Sequence, residues 1–441
     1  MKIRKASLIA LFALATSFTT TESTAQDGFR KNSSAIVAQT STQERLSPVP
    51  ICDSNGKWGY ADRNGKIIIP CKYDWAQPLK EGFTVITSGN RHIIIDKQGK
   101  QTAVNGHYDW VYGISEGMLP VSKNGKYGFI DTKGREVIPC KYAEPEYNEQ
   151  IGDFYYQIAF SEGVAAVFLN GKCGYIDKTG KTVIPFQYKY AGNFQNGYAC
   201  IMQNGKWGLI DKTGKTIVPY RYNYIGTFNE EAVVVRKGNW DTGKCGFVDK
   251  TGKEIIPCKY QQAYNFSEGL AAVQLNGKWG FIDKTGKMVI PCKYQQAYNF
   301  NDGIAPVQLN GKWGYIDQSG KTIVAFKYDL ADEICDGMAT VRIGDWQNGK
   351  WGYVDKTGKE VVPCKYSQAE RFHEGLAAVC TANGKWGFID KTGKVVIPFN
   401  YNVVTDEMDG TVNSFSDGIV YIEKNGQYFY IDKNGREYIK R

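Results

Sequence analysis

Histidine is scarce in this 441-residue chain: His92, His107 and His373 are the full set. They stand in different segments at no paired spacing, so a Ser/His/Asp or Cys/His site would have to be assembled from distant stretches. No glycine-rich phosphate loop opens a helix, and the abundant glycine recurs in Asn-Gly and Thr-Gly turns. None of the 11 cysteines forms a Cys-x-x-Cys pair, which argues against a structural zinc site. Convincing helical periodicity is missing, and beyond the first residues no apolar run approaches the roughly 18 to 20 residues of a spanning helix. Charge of one sign is lacking too. The formal net charge of +9 is spread thinly, with most lysines alone in turns, so there is no nucleic-acid footprint.

What is present begins with a leader. Lys2, Arg4 and Lys5 precede an apolar run from Ala6 to Phe18 and a small-residue stretch ending Ser23-Thr24-Ala25. That is the layout of a secretory signal peptide over residues 1–25, and its removal lowers the net charge to about +7. Residues 26–47, rich in Ser, Thr and Gln, read as a disordered leader. The expected location is therefore the periplasm, the cell surface or the extracellular medium, with no transmembrane segment in the mature chain.

From residue 48 to 441 the chain repeats itself. An aspartate closes the same motif at Asp62, Asp96, Asp131, Asp177, Asp211, Asp249, Asp283, Asp317, Asp355, Asp390 and Asp432. The usual step is about 34 or 35 residues, the window of a repeat architecture, and about eleven copies result. Segments 254–287 and 288–321 agree at roughly 25 of 34 positions. In the copy closed by Asp283, Leu270 to Leu275 is an apolar strand, and Asn276-Gly277 favours a two-residue hairpin turn. Lys278 to Asp283 is a second strand, Lys284-Thr285-Gly286 a tight loop, and Met288 to Ile290 starts a third strand that Pro291 limits. Each copy is expected to be a three-strand meander.

Along the second strand Trp279, Phe281 and Asp283 share one face, and Gly280 and Ile282 the other. Apolar groups on both faces imply copies sandwiched against one another. Gly280, lacking a Cβ, is expected to let a neighbouring copy approach closely. The tryptophan slot holds Trp58, Trp207, Trp279, Trp313, Trp351 and Trp386, and elsewhere His92, Tyr127, Cys173, Cys245 and Tyr428; it reads as core. Cys71, Cys140, Cys258, Cys292 and Cys364 share a slot with Phe186, Tyr220, Phe326 and Phe399, which marks a buried apolar position more than a disulfide framework.

Lys-Trp-Gly-Tyr-Ile-Asp-Lys-Thr-Gly-Lys followed by Val-Ile-Pro, a nearby Tyr and Phe-x-x-Gly-x-Ala-x-Val resembles the bacterial WG-repeat (KWG-repeat) family over nearly all of residues 50–441. The second copy, Arg91 to Asp96, departs most and lacks both Trp and Gly. The resemblance implies a β-repeat domain of bacterial, often exported proteins with interaction roles, and brings no catalytic residues.

An all-β fold follows. Eleven copies exceed the four to eight blades of common propellers, so the expected form is an elongated or superhelical stack whose last strand, ending in Glu437 to Arg441, blunts an exposed edge with charge. Two consecutive β-propellers are the alternative. The recurring aspartate lacks the clustering of a calcium loop and reads as a turn cap; no cofactor is expected.

Function is sought where the repeat is interrupted. Asn239-Trp240-Asp241-Thr242 and Asp345-Trp346-Gln347-Asn348 enlarge one hairpin loop, while Trp75 and Trp110 follow Tyr-Asp in early copies. Longer insertions lie at Glu144 to Phe160 and near Asp406 to Phe415. Loops on a rigid scaffold carry binding, and a loop tryptophan can stack on a sugar or anchor a protein; the same rings could instead cover an edge of the array. The expected role is a non-enzymatic exported scaffold for a protein or cell-envelope glycan partner. A carbohydrate-binding module using Trp75, Trp110, Trp240 and Trp346 is the alternative, and a polysaccharide hydrolase motivated by abundant carboxylates is the third reading. The Lys-Thr-Gly-Lys turns form either an anion-attracting ridge or a solvated face.

Overall fold

A computed structural model describes residues 48–88, 91–143, 158–226, 228, 230–402 and 414–440. The signal peptide expected over 1–25 and the leader over 26–47 lie outside the described residues, as do most of the insertions at 144–160 and 406–415. Among the described residues every regular element is a strand, and the strands form ten sheets: eight of four strands, one of three and one of six. The sheet closed by Asp283 orders Gln262–Ala263, Leu270–Leu275, Lys278–Asp283 and Met288–Tyr294 side by side. The Asn-Gly hairpin forms as its dipeptide demands, with Asn276 and Gly277 at φ 52° and 72°. The first of the four strands was not expected. Gln262 and Ala263 pair with Gln274 and Val273, and Gln-Gln-Ala carries no alternating apolar signal that would mark a strand.

The glycine beside the tryptophan has a different neighbour from the one expected. Trp279 lies opposite Tyr294 and Phe281 opposite Ile290, so Pro291, Cys292 and Lys293 together face Gly280 alone. The third strand arches over that glycine. A Cβ on Gly280 would lie 2.5 Å from the Ile290 carbonyl oxygen and 2.7 Å from the Cys292 nitrogen. Gly59, Gly128, Gly208 and Gly352 meet their own third strands in the same way. The crowding is therefore within one copy, not between copies. Pro291 is tolerated because the arch has left the ladder. All eleven cysteines are free thiols; the slot after Pro is half-buried, Cys292 Sγ donates to the Val273 carbonyl (3.8 Å), and burial pushes the thiols of Cys140, Cys258 and Cys364 up to about 11.

Both faces of each sheet are buried by the next sheet in the row. Trp279, Phe281, Ile290 and Tyr294 pack on Ala305, Val307 and Ile316 of the following copy, with Phe300 between. The other face, Ala271, Val273 and Ile282, packs under Phe247, Ile256 and Tyr260 of the preceding copy. Burying a side chain such as Phe281 contributes about 1.5–3 kcal/mol, and each copy makes such contacts twice.

The row closes on itself. In the six-stranded sheet Val49–Asp53 pairs in parallel with Glu437–Lys440, Cys52 opposite Ile439 and Asp53 opposite Lys440. Trp58 of the first copy meets Tyr421 and Tyr430 of the last at 6.1 and 6.0 Å between ring centroids. The closing strands are the counterparts of Met288–Tyr294 and Ile304–Leu309, which neighbour each other between two ordinary copies. The protein is thus one ten-bladed β-propeller, its tenth sheet carrying the first and last copies together. An elongated or superhelical stack does not form, and the propeller alternative holds as one ring rather than two. The seam differs from the ordinary interface: there the first and last copies join through a parallel ladder into one sheet, where other neighbouring copies remain separate sheets. The last strand is accordingly a paired strand, not an exposed edge.

The aspartate that ends each second strand caps the turn after it. Asp283 Oδ1 accepts the N–H groups of Thr285 (2.9 Å) and Lys287 (3.1 Å) and the Thr285 hydroxyl (2.6 Å). This fills the carboxylate with donors from its own loop. At the same end, Glu116 and Glu162 accept the backbone N–H of Gly163 and Gly197 in the next copy and pair with Lys178 (3.2 Å) and Lys212 (3.0 Å). Several lysines of these turns are therefore interleaved with carboxylates, which does not make an anion-attracting ridge.

Two outcomes follow. Gly280→Ala forces the arch off its glycine and lowers unfolding free energy by about 2 kcal/mol or more in urea titration; a change within about 0.5 kcal/mol would show that the close approach carries no stability. Hydroxyl hydrogen bonds first, and backbone N–H groups with them, hold the carboxyls of Asp177, Asp211, Asp283, Asp317 and Asp390 below the ordinary range. Groups depressed in the folded state stabilise it above the unfolded value and lose that contribution as pH falls through the folded one. Stability should thus be insensitive to these groups near neutrality and drop below about pH 4, with a shallower acid slope in Asp283→Asn, measured by thermal melts from pH 2.5 to 6.

Candidate functional site

The antiparallel meander gives the ring two chemically distinct ends. The hairpins that join the second and third strands of a sheet, such as Asn276-Gly277, lie at one, and the Lys-Thr-Gly turns and their carboxylate partners at the other. Of the four tryptophans taken as loop residues, Trp75, Trp240 and Trp346 stand outside strands, whereas Trp110 begins the short strand Trp110–Val111 opposite Ser122; all four belong to the hairpin end. Asp74, just before Trp75, binds Lys57 of a hairpin turn (2.6 Å), and Asp109, just before Trp110, accepts the Asn124 N–H (2.6 Å). Trp240 and Trp346 stand in enlarged hairpins that Asn223 and Asp329 tie down through Gly238 N (2.9 Å) and Gly344 N (2.8 Å).

They share an end without sharing a pocket. Trp75 lies beside the seam, Trp110 on the third copy, Trp240 on the sixth and Trp346 on the ninth. Their exposure separates them: 37% for Trp75, 66% for Trp110, 70% for Trp240 and 77% for Trp346. Trp75 is edge-on to Trp58 at 5.2 Å and to Tyr421 at 5.6 Å, so it helps cover the seam. Trp240 and Trp346 are held up from beneath by arginines. Arg236 lies 5.1 Å from the Trp240 ring centre, and Arg342 lies 4.0 Å from that of Trp346 and 5.4 Å from that of Trp351.

A second constellation escapes the motif reading. Tyr264 stacks on Trp279 at 5.1 Å and Tyr298 on Trp313 at 5.4 Å, both pairs nearly parallel. The next two copies place Asp332 and Glu370 where these tyrosines stand. Arg371 grips Asp332 through Nε (2.9 Å) and Nη2 (2.5 Å). Burial first, and then the Asp332 charge, push the Glu370 carboxyl up to about 7; burial likewise raises Glu333. The available signal was the change from Tyr to an acid after the alanine of a stretch that reads Gln-Ala-Tyr-Asn-Phe in the two preceding copies, and only the three-dimensional row of blades makes those positions neighbours.

A carboxyl raised in the folded state stabilises it below the unfolded value, and that contribution is lost as pH rises through the folded one. Glu370→Gln should therefore leave stability near pH 4 unchanged and raise it at pH 8 by an amount of order 3 kcal/mol. Chemical denaturation at both pH values measures the difference, and an equal effect at both would contradict burial as the cause.

A family model described as WG containing repeat matches ten times, over residues 58–91, 94–127, 127–173, 174–207, 207–239, 246–279, 279–313, 313–345, 351–386 and 386–428. No curated protein matches. Among solved structures the chain is similar to BamB from Moraxella catarrhalis, at 11% identity and TM-score 0.30, covering 81% of this chain and 93% of that one. AztD from Citrobacter koseri gives 14% identity and TM-score 0.31, with 80% and 92% covered. The extracellular domain of a hybrid two-component system of B. thetaiotaomicron gives 10% identity and TM-score 0.21, with 88% and 69% covered. Among the described residues no helix is long and apolar enough to cross a membrane. With its matches running from Trp58 to Tyr428 almost without a break, the chain belongs to the WG-containing repeat family.

Proposed function

We propose that this propeller is a non-catalytic, exported binding scaffold that meets a protein or cell-envelope glycan at its hairpin end. The observation that carries this is the pair of enlarged hairpins. Trp240 and Trp346 are the most exposed large apolar side chains described, on loops whose bases are hydrogen-bonded to the rigid sheet and whose rings rest on buried arginines. An indole held out of its sheet by such supports loses little freedom on binding, which favours recognition. Export is supported by the arrangement of residues 1–25, and places the ring in the periplasm, at the cell surface or outside the cell.

The carbohydrate-binding reading is supported in a modified form. Because the four tryptophans sit on separate blades, each would contact its own sugar unit, and binding would gain from a long polymer reaching several blades at once. A glycan array and a partner capture experiment with the Trp75, Trp110, Trp240 and Trp346 to Ala quadruple variant separate the readings. Loss of both signals supports the hairpin end, and loss of glycan binding alone supports the carbohydrate-binding reading. Undiminished binding in both sinks the assignment of this face. New reducing ends from a polysaccharide panel incubated with the wild type would overturn the non-catalytic reading.

A further inference from the structure

The two enlarged hairpins are built on the same plan, yet their arginines differ. Arg236, 3% exposed, uses its whole guanidinium: Nε donates to the Asn239 carbonyl (3.0 Å), Nη1 to the Gln261 carbonyl (3.1 Å) and Cys245 Sγ (3.2 Å), and Nη2 to the Trp240 carbonyl. Arg342 occupies the same place three copies on and is 4% exposed, but its Nε and Nη1 have no acceptor. Sequence explains the contrast. Opposite Arg236 stands Cys245, which leaves room to reach the next blade; opposite Arg342 stands Trp351, whose ring fills that space. Unpaired buried donors on a cation are expensive, and the repeat does not require them, since Gln274 and Gln308 fill the equivalent positions.

We infer that Arg342 and Trp346 form a binding site for an acidic sugar, a pyranose ring that carries a carboxylate, as in a uronic-acid polymer. This rests on the hairpin end being the recognition face. Trp346 offers a flat apolar surface of about the size of a sugar ring, and the guanidinium fork matches a carboxylate bidentately. The two lie 4.0 Å apart, so their ligand must join a flat ring and an anion in one small unit. The indole covers the arginine from a loop with glycine at each end, Gly344 at φ 98° and Gly349, and it shifts from cation to sugar as the ligand enters. The nearby carboxylates are already engaged: Asp329 by Lys312 (2.5 Å) and the Gly344 N–H (2.8 Å), and Asp345 by the N–H groups of Gln347 (3.0 Å) and Asn348 (2.7 Å).

Titration calorimetry of the full chain with tetragalacturonate and its methyl ester tests this. The acid should bind, and the ester at least tenfold more weakly. Arg342→Gln, a residue that two sister copies carry at this position, and Trp346→Ala should each weaken the acid at least tenfold, while Arg236→Gln leaves it unchanged. Melting of Arg342→Gln at or above the wild-type temperature shows that the ring is intact. The inference is overturned if Arg342→Gln binds as the wild type does, if ester and acid bind alike, or if the wild type binds poly-glutamate but not the uronate. In each of those cases, partner capture that still depends on the loop tryptophans leaves the scaffold reading standing.

Discussion

Most blades depend on one backbone contact, the crossing of the third strand over the glycine that follows the tryptophan; the copies with Ile93 and Phe429 at that position pair their third strands without it. Because Gly280 has no Cβ, the Pro-Cys-Lys arch can lie directly on it. The arch lets Ile290 and Tyr294 return to the face that carries Trp279 and Phe281, and those four side chains form one wall of the next interface. A larger residue at the glycine would displace the wall and, through it, the blade beyond. The insistence of the Trp-Gly pair is therefore a matter of stacking sheets. Tryptophan itself is replaceable by His92, Tyr127 or Cys245, since an aromatic or apolar body suffices there.

Three of the four strands in a blade, the hairpins, the apolar wall and the turn-capping aspartates were legible in the sequence, because each is written in residues a few positions apart; the short strand Gln262–Ala263 was not. Ring closure was not. It depends on the small rotation between successive blades, roughly 36° if ten blades share a full turn, and no short motif encodes that angle. The glycine's neighbour was misjudged for a related reason: periodicity gives the face of a strand, but the three-against-one bulge that brings Ile290 back over Gly280 appears only with the register. Trp240 and Trp346 stand out in the sequence because their loops depart from the repeat. Their separation around the ring, and the arginines beneath them, needed the third dimension.

Opposite ends of the ring carry opposite kinds of surface. At the turn end, carboxylates and lysines of successive copies alternate and satisfy one another, as Glu162 does with Gly197 and Lys212. Such a belt ties neighbouring blades and leaves little net charge for a partner to read. At the hairpin end the loops vary from copy to copy, and there the exposed indoles stand. Variation is tolerated on that side because a two-residue turn can lengthen without moving either strand it joins. Inter-blade ion pairs and exposed indoles thus lie on different edges of the same small sheet.

Closure of the ring can be measured directly between the two strands that make the seam. Labels placed at Asp53 and Lys440 through non-natural amino acids, read by dipolar electron spin resonance, report whether these positions are neighbours. In the closed propeller they face each other across a parallel ladder whose strands are about 4.8 Å apart, so strong short-range coupling is expected and should vanish on denaturation. Labels separated in the folded chain by the span of many blades would contradict a single closed ring and restore the open stack.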